Sequence, residues 1–175
     1  NRMICGAGDY TNCYFAERVT AKMGGRAAQL AKLVAIYSPW QFGYWYDRPE
    51  KSPRKAGGAG SAESVIKTDV ATRFYNSIPT VWDDTRFMDG EMGDYAVVAR
   101  RSGSDWYVSV LNAGEKKQVS VPLDFLKDVT TYNATLYYQA PGKKKDVVSI
   151  KTMKLQPSLT LDVEANSGCV LHITR

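Results

Sequence analysis

The sequence predicts an α/β region followed by an all-β region, with the change between them near Pro79. Before Pro79, short apolar runs alternate with segments whose hydrophobic residues recur at helical spacing, whereas after it they recur at every second residue. The chain has 175 residues, of which 44% are hydrophobic, enough for one ordinary domain or for a small domain and a piece of another. We therefore expect two structural units, at residues 1–80 and 81–175.

The first region begins with a strand and a helix. Residues 2–8 form an apolar run closed by glycines, which is typical of a buried parallel strand. Residues 26–37 carry one apolar stripe at helical spacing, and Pro39 should end that helix.

A second strand and a second helix follow in the same region. The aromatic-rich residues 38–49 should hold the strand, and the helix should begin at a Ser61 or Ser64 cap and stop at Pro79. Two strands cannot form a parallel sheet with both faces covered. The pattern is therefore that of an incomplete α/β unit.

Short alternating segments fill the second region. About seven of them, separated by turns every 8 to 12 residues, predict an antiparallel sandwich or barrel, and we expect a two-sheet sandwich that folds by itself and packs against the first region. The side chains expected to point into its core are Val97, Ala99, Trp106, Val108, Val110, Leu136, Leu161, Leu171 and Ile173.

Charge, hydropathy and cysteine spacing limit the function classes. The net charge is +5, but the lysines sit in loop tips such as residues 142–146, so we expect a solvated surface and no nucleic-acid partner. No apolar run has the roughly 20 residues of a membrane span. Cys5, Cys13 and Cys169 lack zinc or redox spacing. They are expected to be buried free thiols, although one disulfide with a spare thiol stays open.

The histidine content argues against a hydrolytic triad. His172 alternates with Leu171 and Ile173 in the last predicted strand, so its side chain should lie on the outer face of the sandwich. The sequence contains one histidine, and Ser–His or Cys–His catalysis needs such a base beside a nucleophile.

Polar and aromatic residues that follow the predicted strands form a candidate sugar site. In barrels of alternating strands and helices, side chains at the carboxyl ends of the strands face the active site. Aromatic faces suit the C–H surface of a sugar, while acids and amides pair with its hydroxyls. The candidates are Asp9, Tyr10, Gln41, Trp45, Tyr46 and Asp47. The alternative also stays open, in which the rings pack against flanking helices and Asp47 pairs with Arg48.

Four stretches resemble a known family. They are GAGDYT at residues 6–11, RAAQLAKLVAIYSPWQFGYWYDRP at 26–49, IPTVWDDTRFMDGEMGDYAVVARRSGSDWYVSVLN at 78–112, and VPLDFL at 121–126. Together they look like the last part of glycoside hydrolase family 97, whose members hydrolyse α-glucosides or α-galactosides. The resemblance implies that residues 1–80 are the C-terminal end of a (β/α)₈ catalytic barrel. It also implies that residues 81–175 are a C-terminal antiparallel β-sandwich domain.

The same resemblance implies that the chemistry lies outside this chain. The family's catalytic carboxylates, and the glutamates that bind its Ca²⁺, come from segments upstream of the piece resembled here, so we assign neither catalytic residues nor metal ligands. Many members carry a histidine in the first helix where this chain has Ala28. The preference for glucosides or galactosides, and for a retaining or inverting mechanism, stays open.

The implied function is that of a C-terminal fragment of an α-glucosidase or α-galactosidase, inactive as an isolated chain. Its implied partners are an oligosaccharide substrate and either the remainder of the enzyme or another copy of the chain, because the family's C-terminal domain is linked to oligomer formation. The alternative is a complete, non-catalytic carbohydrate-binding or oligomerisation module with a β-sandwich fold.

Overall fold

The structure is a computed structural model that describes residues 6–8, 10–12, 20–43, 47–49 and 64–175. Most of the strand predicted at residues 2–8 lies outside these ranges, and residues 6–8 are not in a strand. Two of the cysteines, Cys5 and Cys13, also lie outside them.

The first region contains short parallel strands and two helices. Its elements are β1 (Tyr10–Asn12), a 3₁₀ turn (Ala21–Met23), α1 (Gly25–Ala35), β2 (Gln41–Gly43), β3 (Asp47–Pro49), β4 (Ser64–Ile66) and α2 (Val70–Ser77). β1 pairs with β2 and β3 pairs with β4, both in parallel. Since α1 lies between β1 and β2 in the chain, these three elements form a βαβ unit.

The structure agrees with the prediction for the first helix more closely than with that for the second. The first helix is confirmed, and it ends ahead of Pro39 because Ile36 takes an extended conformation. The predicted start of the second helix is wrong, since Ser64 lies in β4. Asp69 caps α2 instead: its carboxylate accepts from the Thr72 amide at 3.0 Å, and its own amide donates to Thr72 Oγ1 at 3.3 Å.

The second region is built from antiparallel strands, with one 3₁₀ turn at Val129–Thr131. Its strands are β5 (Asp84–Glu91), β6 (Tyr95–Ser102), β7 (Asp105–Asn112), β8 (Lys117–Pro122), β9 (Asn133–Tyr138), β10 (Ser149–Lys154), β11 (Ser158–Val163) and β12 (Ser167–Thr174). Six form one sheet in the order β10-β9-β12-β7-β6-β5, while β8 and β11 form a two-stranded ribbon. The predicted antiparallel sandwich is confirmed, with β5 as an additional strand.

The ribbon covers one face of the six-stranded sheet. Val119 and Val121 of β8 and Leu161 and Val163 of β11 belong to the same buried cluster as the sheet residues beneath them. All nine side chains predicted to point inward lie in this cluster. Every residue of the cluster comes from the second region, so this core is complete within it.

Helices α1 and α2 cover the opposite face of the sheet. Leu30, Leu33 and Val34 of α1 and Phe74 of α2 are buried together with sheet residues such as Tyr107. Because both faces are covered, residues 97–100 of β6 are all buried rather than alternately buried and exposed. The molecule is therefore layered as helix, sheet and ribbon.

Candidate functional site

The predicted sugar-site residues fall on the short parallel strands of the first region. Tyr10 of β1 and Gln41 of β2 are directly paired in the β1–β2 register, and Gln41 is partly exposed. Asp47 is the first residue of β3, where its pairing partner is Ser64 of β4. The structure thus brings the backbones of Tyr10 and Gln41 together. Asp9, Trp45 and Tyr46 lie outside the described residues.

Trp40 adjoins this set and was not among the predicted site residues. Its side chain is 68% exposed, and its backbone oxygen accepts a hydrogen bond from Ser38 Oγ at 2.6 Å. The position of Trp40 next to Gln41 in the sequence was a signal that could have added it to the predicted site residues.

A buried arginine joins the sandwich to the end of α1. Arg100 of β6 is 1% exposed. Its Nε donates to the Val34 carbonyl at 2.5 Å, and its Nη2 donates to the Ala35 carbonyl at 3.1 Å. Its Nη1 donates to Thr85 Oγ1 at 2.6 Å. A cation at the carboxyl end of a helix satisfies carbonyls that have no partner within the helix and complements the helix dipole.

Two further contacts fix the distance between α1 and the sheet. Ser109 Oγ of β7 donates to the Ala31 carbonyl at 2.7 Å. A Cβ atom at Gly168 of β12 would lie 2.9 Å from the Ala31 Cβ and 3.3 Å from the Ala28 Cα, so a larger residue would push the helix away. Ala28 therefore packs against the sandwich.

An ion pair connects the two helices. Arg26 Nη1 of α1 lies 2.8 Å from Asp69 Oδ2 at the start of α2, and it also donates to the Asp146 carbonyl at 3.1 Å. Burial raises the pKa of Asp69, but hydrogen bonds from Arg26 and Thr72 lower the pKa by more than burial raises it. The pKa of Asp69 therefore lies below its usual value. Asp69 is thus both a helix cap and an interhelix contact.

His172 is held by an aromatic ring and a carboxylate. Its imidazole stacks on Tyr107 with ring centres 4.4 Å apart, and its Nε2 lies 3.0 Å from Asp105 Oδ2. The side chain lies on the sheet face away from the ribbon, as predicted, but α1 and α2 cover much of that face. Burial and the charge of Asp105 raise the pKa of Tyr107 to about 12, so its hydroxyl stays neutral. These contacts orient the imidazole and do not place a nucleophile beside it.

The described residues show no metal-binding cluster. No three histidine, cysteine, aspartate or glutamate side chains among them lie close enough to share a metal ion. Cys169 is a buried free thiol, and burial raises its pKa to about 12, so it stays protonated and unreactive. The described helices are also too short or too polar to cross a membrane.

Comparisons with known proteins agree with this architecture. Residues 81–174 match the family model described as "Glycosyl-hydrolase 97 C-terminal, oligomerisation". The retaining α-galactosidase of Bacteroides thetaiotaomicron is 35% identical over 130 residues, covering 74% of this chain and 17% of that protein. A probable retaining α-galactosidase of Streptomyces bingchenggensis is 38% identical over 65 residues, covering 37% of this chain and 10% of that protein.

Solved structures show the same fold. A variant of a family 97 enzyme from Pseudoalteromonas sp. strain K8 matches with a TM-score of 0.75 at 21% identity, covering 98% of this chain and 27% of that one. A β-arabinopyranosidase matches with a TM-score of 0.63 at 26% identity, covering 85% of this chain and 21% of that one.

These similarities place the chain among the glycoside hydrolases. Because the family model covers residues 81–174 of the 175, the chain belongs to glycoside hydrolase family 97, as its C-terminal part. It spans 17% and 10% of the length of the two curated relatives.

Proposed function

We propose that this chain is the C-terminal region of an α-galactoside hydrolase, in which residues 81–175 join copies of the enzyme and residues 1–80 form the end of its (β/α)₈ catalytic barrel. The substrate class rests on the two curated relatives, which are both named as retaining α-galactosidases. Oligomer formation rests on the description of the family model that matches residues 81–174.

The observation that carries the barrel assignment is the parallel βαβ unit formed by β1, α1 and β2. Parallel strands joined by a helix are the repeating unit of a (β/α)₈ barrel. The second parallel pair, β3 and β4, is followed at once by α2. The four parallel strands described for this region are too few to close a barrel, and we propose that the remaining strands come from elsewhere in the protein.

We further propose that Asp9, Tyr10, Gln41, Trp45, Tyr46 and Asp47 line the rim of the sugar pocket. The pairing of Tyr10 with Gln41 supports this, because it brings two members of the set side by side. The exposed ring of Trp40, next to Gln41, adds an aromatic face on which a sugar can stack. The acids among them would hydrogen-bond to hydroxyl groups and would not act as the catalytic pair.

The Ca²⁺ that the family resemblance implies would be held by residues outside this chain. The residues that the structure describes bring no three candidate ligands together, so they do not fit that ion. We therefore assign it no role in what these residues do.

The proposal is tested by assaying the full-length protein and the 175-residue chain side by side on 4-nitrophenyl α-galactoside and α-glucoside. We expect turnover by the full-length protein alone, with the larger kcat/KM on the galactoside and an α-configured first product by NMR. Hydrolysis by the isolated chain, or a full-length protein inactive on both substrates, would contradict it.

A further inference from the structure

One corner of the helix-facing side of the six-stranded sheet has no described element over it. Helix α1 packs on β12, β7 and β6, and α2 packs on Tyr107 and Tyr137 farther along. Where β6 begins and β7 ends, a hollow of about 550 Å³ opens beside the β5–β6 hairpin. Its apolar lining includes Phe87, Met92, Ala96, Leu111 and Ala113.

Two large apolar side chains at this hollow are exposed. Phe87 is 57% exposed and Met92 is 85% exposed. Scattered exposed hydrophobic residues are normal, but here they are grouped around a concave surface. Such a grouping is typical of a surface that another protein covers.

The geometry of β5 disfavours docking by strand addition. The β5–β6 register shifts between Phe87 and Asp89, so β5 carries an irregularity that bends the edge of the sheet. Asp89 is held there by hydrogen bonds from Tyr95 Oη at 2.9 Å and from the Gly90 amide at 2.8 Å. A partner would therefore contact the face and the hairpin tip rather than extend the sheet.

We propose that a second copy of this chain covers the corner, with Met92 of each copy inserted into the hollow of the other about a twofold axis. This rests on the proposed function, because the corner lies wholly within residues 81–174, the segment that matches the oligomerisation model. A projecting side chain and a hollow at the same corner of the sheet can be self-complementary about a twofold axis, as an isologous interface requires. The flexible thioether of methionine adapts to such a hollow.

The rim of the hollow is already ordered before any partner binds. Lys117 pairs with Asp94, and its Nζ lies 5.3 Å from the centre of the Tyr95 ring. A preformed rim reduces the entropy lost when the two copies associate.

The first test is sedimentation of the full-length protein carrying Phe87→Ser and Met92→Ser. We expect the dissociation constant of the oligomer to rise about 30-fold or more, as for the loss of an interface hot spot, with the melting temperature of the dissociated protein unchanged. The matched control is Ile150→Ser, since Ile150 is 55% exposed on β10, the other edge of the sheet. It should leave the oligomer intact.

The second test introduces one additional cysteine in each variant and does not depend on losing affinity. Protein with Met92→Cys is mixed with protein carrying Ala113→Cys, and the mixture is oxidised gently. We expect a disulfide between the two variants that forms faster than in either variant alone or in unsubstituted protein, because Met92 of one copy meets Ala113 of the other.

The outcomes separate this proposal from the previous one. An oligomer that survives the double substitution and gives no cross-link overturns this surface but leaves oligomer formation standing. A protein that is monomeric at all concentrations overturns both. If the doubly substituted protein has a lowered melting temperature but does not dissociate, then the corner is not covered by a second copy. That result would show that the enzyme's own chain covers it.

Discussion

Arg100 shows how one side chain can join two parts of the molecule. Its guanidinium is buried, and three of its nitrogens donate to partners on α1 and β5. A buried charge is costly unless its hydrogen bonds are complete, and these bonds also serve the last carbonyls of α1. Replacing the side chain therefore removes a cap from the helix as well as a contact of the sheet.

For Arg100→Met we expect a loss of about 2–4 kcal/mol in the free energy of unfolding, because several charged hydrogen bonds disappear and two helix carbonyls are left buried without a partner. Urea denaturation of the 175-residue chain measures it. The control is Arg101→Met, whose partly exposed guanidinium lies 3.6 Å from Asp83 and should contribute less than about 1 kcal/mol. Equal losses in the two variants would show that Arg100 is not the junction.

At the proposed sugar site, Asp47→Ala in the full-length enzyme should lower kcat/KM. The decrease should correspond to a loss of about 1.5–3 kcal/mol in transition-state stabilisation, the contribution of one charged hydrogen bond to the sugar. Its melting temperature should change little. If kinetics are unchanged while the melting temperature falls, then Asp47 has a structural role, such as the pair with Arg48 that the sequence left open.

The sequence could predict the apolar residues of the sandwich better than its buried polar ones. Alternation alone placed Val97, Ala99 and Val108 on the inner face, since apolar side chains at every second position face the core. The same alternation puts Arg100 on the opposite face of the sheet. Nothing in the local pattern shows that a helix distant in sequence supplies carbonyls there.

At the scale of elements, Asp69 connects α1 and α2. Because its folded-state pKa is lowered, its carboxylate contributes stability at pH values above the unfolded pKa of about 3.9, and this contribution is lost as pH falls through the lower folded value. The same carboxylate also caps α2 by accepting from the Thr72 amide.

Two substitutions separate these roles. Asp69→Ala should cost about 1–2 kcal/mol at neutral pH, because the cap is lost. Asp69→Asn should cost less, since asparagine also caps helices, but stability should then fall less steeply between about pH 5 and pH 3. Denaturation curves across this range test both. An unchanged pH slope in the asparagine variant would mean that the pair with Arg26 contributes nothing measurable.

Elements were predictable where burial on one face produced a regular pattern. Strands β8 and β11, which are buried at every second residue, and helix α1 follow such patterns. β5 was missed because its residues are mostly exposed or half-buried and a bulge interrupts their alternation. The start of α2 was misplaced because Ser64 and Asp69 are both good caps, and only the pairing of β4 with β3 shows which of them begins the helix.

At the scale of the whole molecule, the two faces of the sheet predict different behaviour for residues 81–175 alone. The ribbon-side core is complete within this segment, so we expect it to fold and to protect amides in β7, β9 and β12. The other face loses α1 and α2, which leaves Tyr107, Val170 and Arg100 uncovered. The free energy of unfolding of residues 81–175 should therefore be lower than that of residues 20–175.

Amide exchange and urea denaturation of the two fragments provide the measurement. A fragment 81–175 without protected amides would show that the sandwich needs the helices in order to fold. Equal stabilities would show that the helix-facing layer contributes little.

The junction between α1 and the sandwich also bears on how such enzymes diverge. Arg100 and Ser109 bind backbone carbonyls of α1, which every sequence supplies, whereas the close approaches at Gly168, Gly24 and Gly25 demand small residues. These carbonyl contacts do not depend on which side chains α1 carries, although its buried residues, among them Leu30 and Leu33, must still pack against the sheet. This accounts physically for a shared fold at 21% identity. Recombination between relatives that exchanges the C-terminal domain would therefore have to keep those small residues.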